Sequence, residues 1–186
     1  MNKMDPTRCK WCNLNNGLYI EYHDKEWGVP TYDDETLFEF LILEPFQAGL
    51  SWETILNKRE NFRIAFDNYN IDKICNYDAS KIAELMQDPG IIRNRRKIEA
   101  AVNNAKIFKE IQEEWTSFSD YIWHFTGKKV IFETGKASSP LSDEISKDLK
   151  KRGMKFIGTT IVYAYLQSVG IIYSHDEDCF LFKSQP

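Results

Sequence analysis

The placement of cysteine and histidine is the feature of this chain that most restricts its fold. Cys9-Lys10-Trp11-Cys12 makes a C-x-x-C pair near one end, with His23 further on. Near the other end, His175 and Cys179 stand four apart in His175-Asp176-Glu177-Asp178-Cys179. Four soft or borderline donors in a tetrahedral array suit Zn²⁺, and a closed site of that kind is normally structural. Because the donors come from both ends, an ion would clip the two ends together. The clip would replace apolar packing that residues 1–32 cannot supply alone. Two ligand sets fit: Cys9, Cys12, His175 and Cys179, or Cys9, His23, His175 and Cys179. Spacing favours the first, because C-x-x-C is so common in zinc sites. His124, in Trp123-His124-Phe125, has no thiol nearby in sequence and takes a core or capping role.

A length of 186 residues suits a single domain. It would comprise an irregular, metal-tethered segment 1–32, a helical body 33–170 and a C-terminal ligand segment 171–186. With 42% apolar and 28% charged residues, wholesale disorder is excluded. A net charge of −4 supplies no bulk cationic field, so any contact with nucleic acid must be local. The uncharged run 156–174 carries Gly158, Thr159, Thr160, Gln167, Ser168 and Gly170, which suits a buried helix rather than a membrane span. The polar opening Met1-Asn2-Lys3-Met4-Asp5-Pro6 lacks the apolar stretch of a signal peptide. Four cysteines without an oxidising context remain thiols, and the expected location is the cytoplasm.

Apolar periodicity predicts an all-α body. Asp33 or Asp34 caps a helix with the stripe Leu37, Phe40, Leu41, which Pro45 should end near Glu44. A second helix starts at Ser51. A third is capped by Ser80 and halted by Pro89-Gly90. A long helix runs from Ile92 to about Ile111, and a short one covers 121–125. Residues 127–140 form a loop with one strand at 130–132. Ser142 caps a charged helix, and the last helix spans 159–169, ended by Gly170.

Three further constellations bear on chemistry. In Gln87-Asp88-Pro89-Gly90-Ile91-Ile92-Arg93-Asn94-Arg95-Arg96-Lys97, a Pro-Gly turn leads into a basic helix. Turn amides and a helix N-terminus can receive a phosphate oxygen, and Arg93, Arg95, Arg96 and Lys97 add the charge a duplex requires. A second cluster, Lys147, Lys150, Lys151, Arg152 and Lys155, suits a solvated helix face. Glu44 falls on the apolar stripe of its helix and at the C-terminal end, where the helix dipole disfavours an anion. Either it reaches solvent or a cationic or hydrogen-bonding partner meets it. Aromatic residues make up 14% of the chain, and Trp11, Tyr19, Tyr22, Trp27 and Trp52 surround that stretch of sequence. With a stranded acid they could build a stacking box for a base. No Walker loop, G-x-S-x-G, H-E-x-x-H or GxGxxG is present.

The chain resembles the 3-methyladenine DNA glycosylase I family over roughly residues 8–179. Tyr19-Ile20-Glu21-Tyr22-His23-Asp24-Lys25-Glu26-Trp27-Gly28-Val29-Pro30, Gln47-Ala48-Gly49-Leu50-Ser51-Trp52, Lys58-Arg59-Glu60-Asn61-Phe62-Arg63, Gly90-Ile91-Ile92-Arg93 and Lys150-Lys151-Arg152-Gly153-Met154-Lys155-Phe156-Ile157-Gly158-Thr159-Thr160 carry the likeness in order. It implies a helix-hairpin-helix glycosylase fold with the hairpin at 88–97, where Gly90 and the basic residues meet DNA. It also implies a structural zinc on Cys9, His23, His175 and Cys179, against the spacing preference for Cys12. The base-reading acid maps to Glu44, with Tyr22 and Trp52 beside it as catalytic-pocket residues and Trp11, Tyr19 and Trp27 completing the base site. Gly49-Leu50 maps to the wedge that enters DNA where a flipped base has left. Pro45-Phe46 departs from the family, which has a small residue after the acid.

Relatives in the wider superfamily carry a catalytic Asp after the hairpin, and none stands in the apolar setting of Ile98-Glu99-Ala100-Ala101-Val102. The resemblance accounts for that. A purine alkylated at N3 is cationic and its bond to C1′ is already weak, so extraction of the base can suffice. The expected activity is hydrolytic release of free 3-methyladenine from alkylated duplex DNA, with no membrane and no obligate protein partner. The alternative is a zinc-stapled module that binds DNA damage without catalysis.

Overall fold

The computed structural model describes residues 6–183. The polar opening at 1–5, read above as lacking a signal peptide, lies outside them. The body is built around α2, Asp34–Gln47, in which every residue from Leu37 to Phe46 is buried. This helix has no solvated face in that stretch, so the stripe expected from Leu37, Phe40 and Leu41 is only part of its contact surface. Asp33 caps it by accepting from the Thr36 amide at 2.9 Å. Pro45 does not end it, as the sequence had suggested, and the helix continues three residues. The reason is external: Lys97 Nζ donates to the carbonyl oxygens of Phe46 (2.9 Å) and Ala48 (2.7 Å), satisfying the final turn.

Around α2 pack α3, Trp52–Ala65, and α6, Arg95–Trp115. A 3-10 turn at Asp67–Tyr69 and the short helices α4, Ile71–Cys75, and α5, Ala79–Leu85, link them. Asp78 rather than Ser80 caps α5, and Asn94 caps α6, which begins three residues after the expected Ile92. α7, Phe118–His124, carries His124 in its last turn, where its Nδ1 meets the Tyr121 carbonyl. That is the capping role, not the core one. α8, Pro140–Lys151, is capped by Ser139, with Ser142 returning the bond from inside the first turn. α9, Thr159–Ser168, follows the prediction closely. Among the described residues no helix is long and apolar enough to cross a membrane.

The first 32 residues are less irregular than expected. Asn16 caps a helix, α1, over Gly17–Lys25, burying Tyr19, Tyr22 and His23. Two short strands, β1 at Ile131–Phe132 and β2 at Ile172–Tyr173, pair in parallel with Ile131 opposite Ile172. The N-terminal segment is stitched to the end of α9 by Gly28 N–H to Gln167 O (3.0 Å) and Thr31 N–H to Val169 O (3.1 Å). Gly170 sits at that junction with φ +74, and a Cβ there would lie 2.2 Å from the Val29 carbonyl carbon. Gly170→Ala is therefore expected to cost about 3 kcal/mol or more, from left-handed backbone and overpacking together. A thermal melt should show a midpoint lower by roughly 10 °C; an unchanged midpoint would refute the close approach.

Candidate functional site

The C-terminal half of α2, the first turn of α3, α1 and the end of α9 surround a cavity of about 350 Å³. Trp11, Tyr19, Tyr22, Trp27, Trp52 and Glu44 all line it, so every pocket residue anticipated from the sequence comes to one place. The rings are packed against one another: Trp11 to Trp27 at 4.7 Å between centroids, Trp11 to Tyr19 at 5.5 Å, and Tyr22 to Trp52 at 5.3 Å. Trp52 in turn lies nearly parallel to Phe40 at 6.3 Å. This leaves the rings little freedom to reorganise, and their π faces favour a cationic guest.

Glu44 is 3% exposed and has no cationic partner among the described residues. Ser168 Oγ donates to its Oε1 at 2.6 Å, and Ser168 Oγ lies 2.8 Å from the Tyr22 hydroxyl. A serine has one hydroxyl proton. With that proton on Glu44, the Tyr22 O–H must donate to Ser168, so the relay runs Tyr22 to Ser168 to Glu44. Burial pushes the Glu44 carboxyl up to about 7, and the Ser168 bond offsets part of the rise. Ser168 was missed in the sequence, though a detectable signal existed. It lies on the buried face of α9 with Tyr165, a polar residue stranded there as Glu44 is on α2.

At the pocket's edge, Gly49 has φ +84 and Leu50 is 40% exposed. The Leu50 amide donates to Gln47 O at 2.7 Å and Gln47 Nε2 returns a bond to Leu50 O at 3.2 Å, so the exposed leucine stands on a braced turn.

The hairpin lies between α5 and α6. Asp88 Oδ1 accepts from the Gly90 amide at 2.7 Å, and the Asn94 amide is taken by Ile92 O. The amides of Ile91, Ile92 and Arg93 donate to no protein acceptor among the described residues. Arg93, Arg95 and Arg96 are exposed beside them, Arg95 standing 3.6 Å from Glu99. Lys97 does not belong to this face, contrary to the sequence reading. It is buried, and its ammonium is spent on the end of α2. Its physical role is to hold the turn that carries Gly49 and Leu50.

A second cluster lies beside Trp11 and Trp27. One donor atom from each of Cys9, His23, His175 and Cys179 falls within a set 4.8 Å across, all four residues buried. Cys9 Sγ is 3.4 Å from His175 Nδ1, and Cys179 Sγ is 3.5 Å from His23 Nε2 and 3.6 Å from His175 Nδ1. Tetrahedral S–Zn–N geometry requires separations of roughly 3.6 Å, so the donors fit a metal. Outer contacts orient them: His23 Nδ1 faces Asp24 Oδ1 at 2.7 Å, and the Asp176 amide donates to Cys9 Sγ at 3.3 Å. Cys12 stands apart, its thiol directed at the Tyr19 carbonyl 3.8 Å away. The spacing preference for Cys12 is thus corrected. His23, on α1, is brought in by a helix that the sequence reading had left irregular.

An acid with no cation of its own, walled by rings, suits a flat, positively charged guest. With a hairpin between α5 and α6 tied to α3, the fold is that of a helix-hairpin-helix DNA glycosylase. Within that class, the sequence profile of the family described as methyladenine glycosylase matches residues 11–182, and the chain belongs to that family. It is 44% identical over 179 residues to the DNA-3-methyladenine glycosylase of Haemophilus influenzae, covering 93% of this chain and 96% of that one. A crystal structure of 3-methyladenine DNA glycosylase I superposes with a TM-score of 0.91 at 40% identity, covering 95% of this chain and all of that one. A point variant of 3-methyladenine DNA glycosylase I in complex with 3-methyladenine superposes with a TM-score of 0.89 at 34% identity, covering 93% and 96%.

Proposed function

We propose that this chain works in the cytoplasm as a monofunctional glycosylase that releases 3-methyladenine from alkylated duplex DNA. The observation that carries the reading is the pairing of a buried, cation-free carboxylate with an aromatic enclosure. Methylation at N3 makes the purine a cation, so Glu44 gains a counter-charge and the rings gain a cation at their faces. Neutral adenine offers neither term, and the difference of affinities is the selectivity.

The base would be flipped into the cavity between Trp52 and the rings opposite, at the cost of unstacking it from the duplex. The C1′–N9 bond breaks with its electron pair moving onto N9, which neutralises the base. A water oxygen then bonds to C1′ and its surplus proton passes to solvent, leaving an abasic site. Glu44 holds the base edge, and the Tyr22–Ser168 relay fixes the direction of its carboxylate. On the DNA side, Leu50 on its braced turn fills the gap left by the base. The amides of Ile91, Ile92 and Arg93 receive a phosphate, with Gly90 allowing the turn and Arg93, Arg95 and Arg96 supplying charge. Zn²⁺ on Cys9, His23, His175 and Cys179 would supply a structural tie between the chain's two ends. With four protein donors it has no open position for chemistry.

The test is incubation with methylated duplex DNA and chromatography of the released bases. Release of 3-methyladenine by the native protein, lost in Trp52→Ala while its circular dichroism stays native, is the expected result. Tight binding of methylated duplex without release would assign a damage-binding module instead.

A further inference from the structure

We infer that Lys58 is a positioning residue for DNA engagement, acting from inside the protein by holding the hairpin in its receiving shape; this rests on the reading of the hairpin as the phosphate receiver. Lys58 is a half-buried cation on α3 that the pocket does not use. Its Nζ donates to the carbonyl oxygens of Pro89 at 3.0 Å and Gly90 at 3.2 Å. One turn further along α3, Asn61 Nδ2 donates to the same Gly90 oxygen at 3.4 Å.

These contacts decide which way the turn's amides face. In a trans peptide the N–H points opposite to the C=O. Fixing Gly90 O toward α3 therefore directs the Ile91 N–H away from α3. Fixing Pro89 O does the same to the Gly90 N–H, which Asp88 Oδ1 accepts. The fit is close: a Cβ on Gly90 would lie 2.9 Å from Asp88 Oδ1 and 3.1 Å from Asn61 Cβ. Without the ammonium, two carbonyl oxygens turned toward α3 would lose their strongest donor.

Placement on α3 gives the tether a second consequence. Ser51, the cap of α3, directly follows the Gly49-Leu50 turn, and Trp52 opens the helix at the pocket. Lys58 lies seven residues beyond the cap, roughly 10 Å along the helix axis. One rigid element thus carries the exposed leucine's turn, the stacking ring and the tether of the hairpin. The separation between wedge and phosphate receiver is set by α3, and Lys58 is what makes the hairpin follow it.

The test compares Lys58→Met, which keeps most of the aliphatic stem, with Arg93→Ala. Each is measured for anisotropy binding to a duplex containing a tetrahydrofuran abasic analogue across a salt series. Free 3-methyladenine affinity and kcat at saturating methylated duplex are read alongside. For Lys58→Met, duplex Kd should rise about tenfold, the scale of one charged hydrogen bond. Base affinity, kcat and the salt slope should stay at their native values. For Arg93→Ala, duplex affinity should fall together with the salt slope, because a direct phosphate contact releases counterions. A Lys58→Met salt slope reduced by about one would make Lys58 a direct phosphate ligand and overturn the inference, as would loss of free-base affinity. Weakened binding in Arg93→Ala with unchanged binding in Lys58→Met also overturns it and leaves the hairpin reading standing. Unchanged binding in both removes the hairpin reading, and the inference with it.

Discussion

Glu44→Gln is expected to lower kcat/KM for 3-methyladenine release by about 10²–10³-fold, the scale of losing one preorganised electrostatic partner, and to make the folded protein more stable at pH 8. Both effects come from the same burial. The carboxyl titrates near 7 in the folded chain and near its ordinary value of 4.5 when unfolded. Below pH 4.5 both states hold the proton, so the amide and the acid fold equally well. Between 4.5 and 7 the unfolded chain surrenders its proton first, and stability falls as pH rises. Above 7 the whole cost of an ionised, buried carboxylate is present, about 3 kcal/mol. The variant escapes that cost and should melt several degrees higher at pH 8, with no difference at pH 4. The groups around Glu44 do not alter the sign. Ser168 is uncharged, and burial raises the Tyr19, Tyr22 and Tyr165 phenols, so all three are neutral across this range. Native kcat/KM should climb as pH rises through about 7, when the carboxylate forms, and Glu44→Gln should lack that limb. Full excision by the variant, or a limb that survives the substitution, would remove Glu44 from the pocket chemistry.

The acid and the rings were legible because they violate local expectation: a carboxylate on an apolar stripe, and aromatics with no assignable period. What could not be read was pairing across the chain. Ser168 finds Glu44 from 124 residues away, and neither stretch of sequence identifies the other. Cys12 competed with His23 because C-x-x-C is a local pattern. The deciding fact is that Tyr19, Tyr22 and His23 share the buried face of α1, a helix whose glycine, tyrosines and charges obscure its period. Lys97 shows the opposite error. In a run of four cations the natural assumption is solvent, yet one of them is consumed by the carbonyls that α2 leaves open at Phe46 and Ala48. Lys58 is spent in the same manner on the hairpin. Both lysines hold backbone that another element leaves open, a role that appears only when the carbonyls are located. Helix boundaries slipped by one to three residues where another capping residue stood nearby, as at Asp78 and Ser139.

On the reading that Zn²⁺ fills the Cys9, His23, His175 and Cys179 cluster, removing it should have the largest effect on the fold. An ion there would join Cys9 to Cys179, closing a loop of about 170 residues, and in the chain-entropy view a link of that span contributes roughly 5 kcal/mol. Residues 28–31 are also stitched to the end of α9, but the stretch before α1 has its contacts to the C-terminal segment close to the cluster. The Lys10 amide donates to Asp176 Oδ2 at 2.8 Å and the Phe180 amide to Thr7 O at 2.8 Å, both beside the cluster. When the clip opens, these contacts should loosen with it. Stripping the metal with a strong chelator should therefore lower the melting midpoint by about 10–20 °C and open the segment before α2 to protease, while α2, α3 and α6 keep their helical signal. The pocket should suffer next, because Trp11 and Trp27 pack against the same cluster, with Trp27 4.7 Å from the His175 ring and Trp11 5.2 Å from His23. Base affinity should fall on chelation even though Cys9, His23, His175 and Cys179 do not line the pocket. Elemental analysis separates the two ligand sets: one zinc per chain in Cys12→Ala and none in His23→Ala is expected. The reverse would return Cys12 to the site, and a chelated protein with native midpoint and native base affinity would show that the ends are held without an ion.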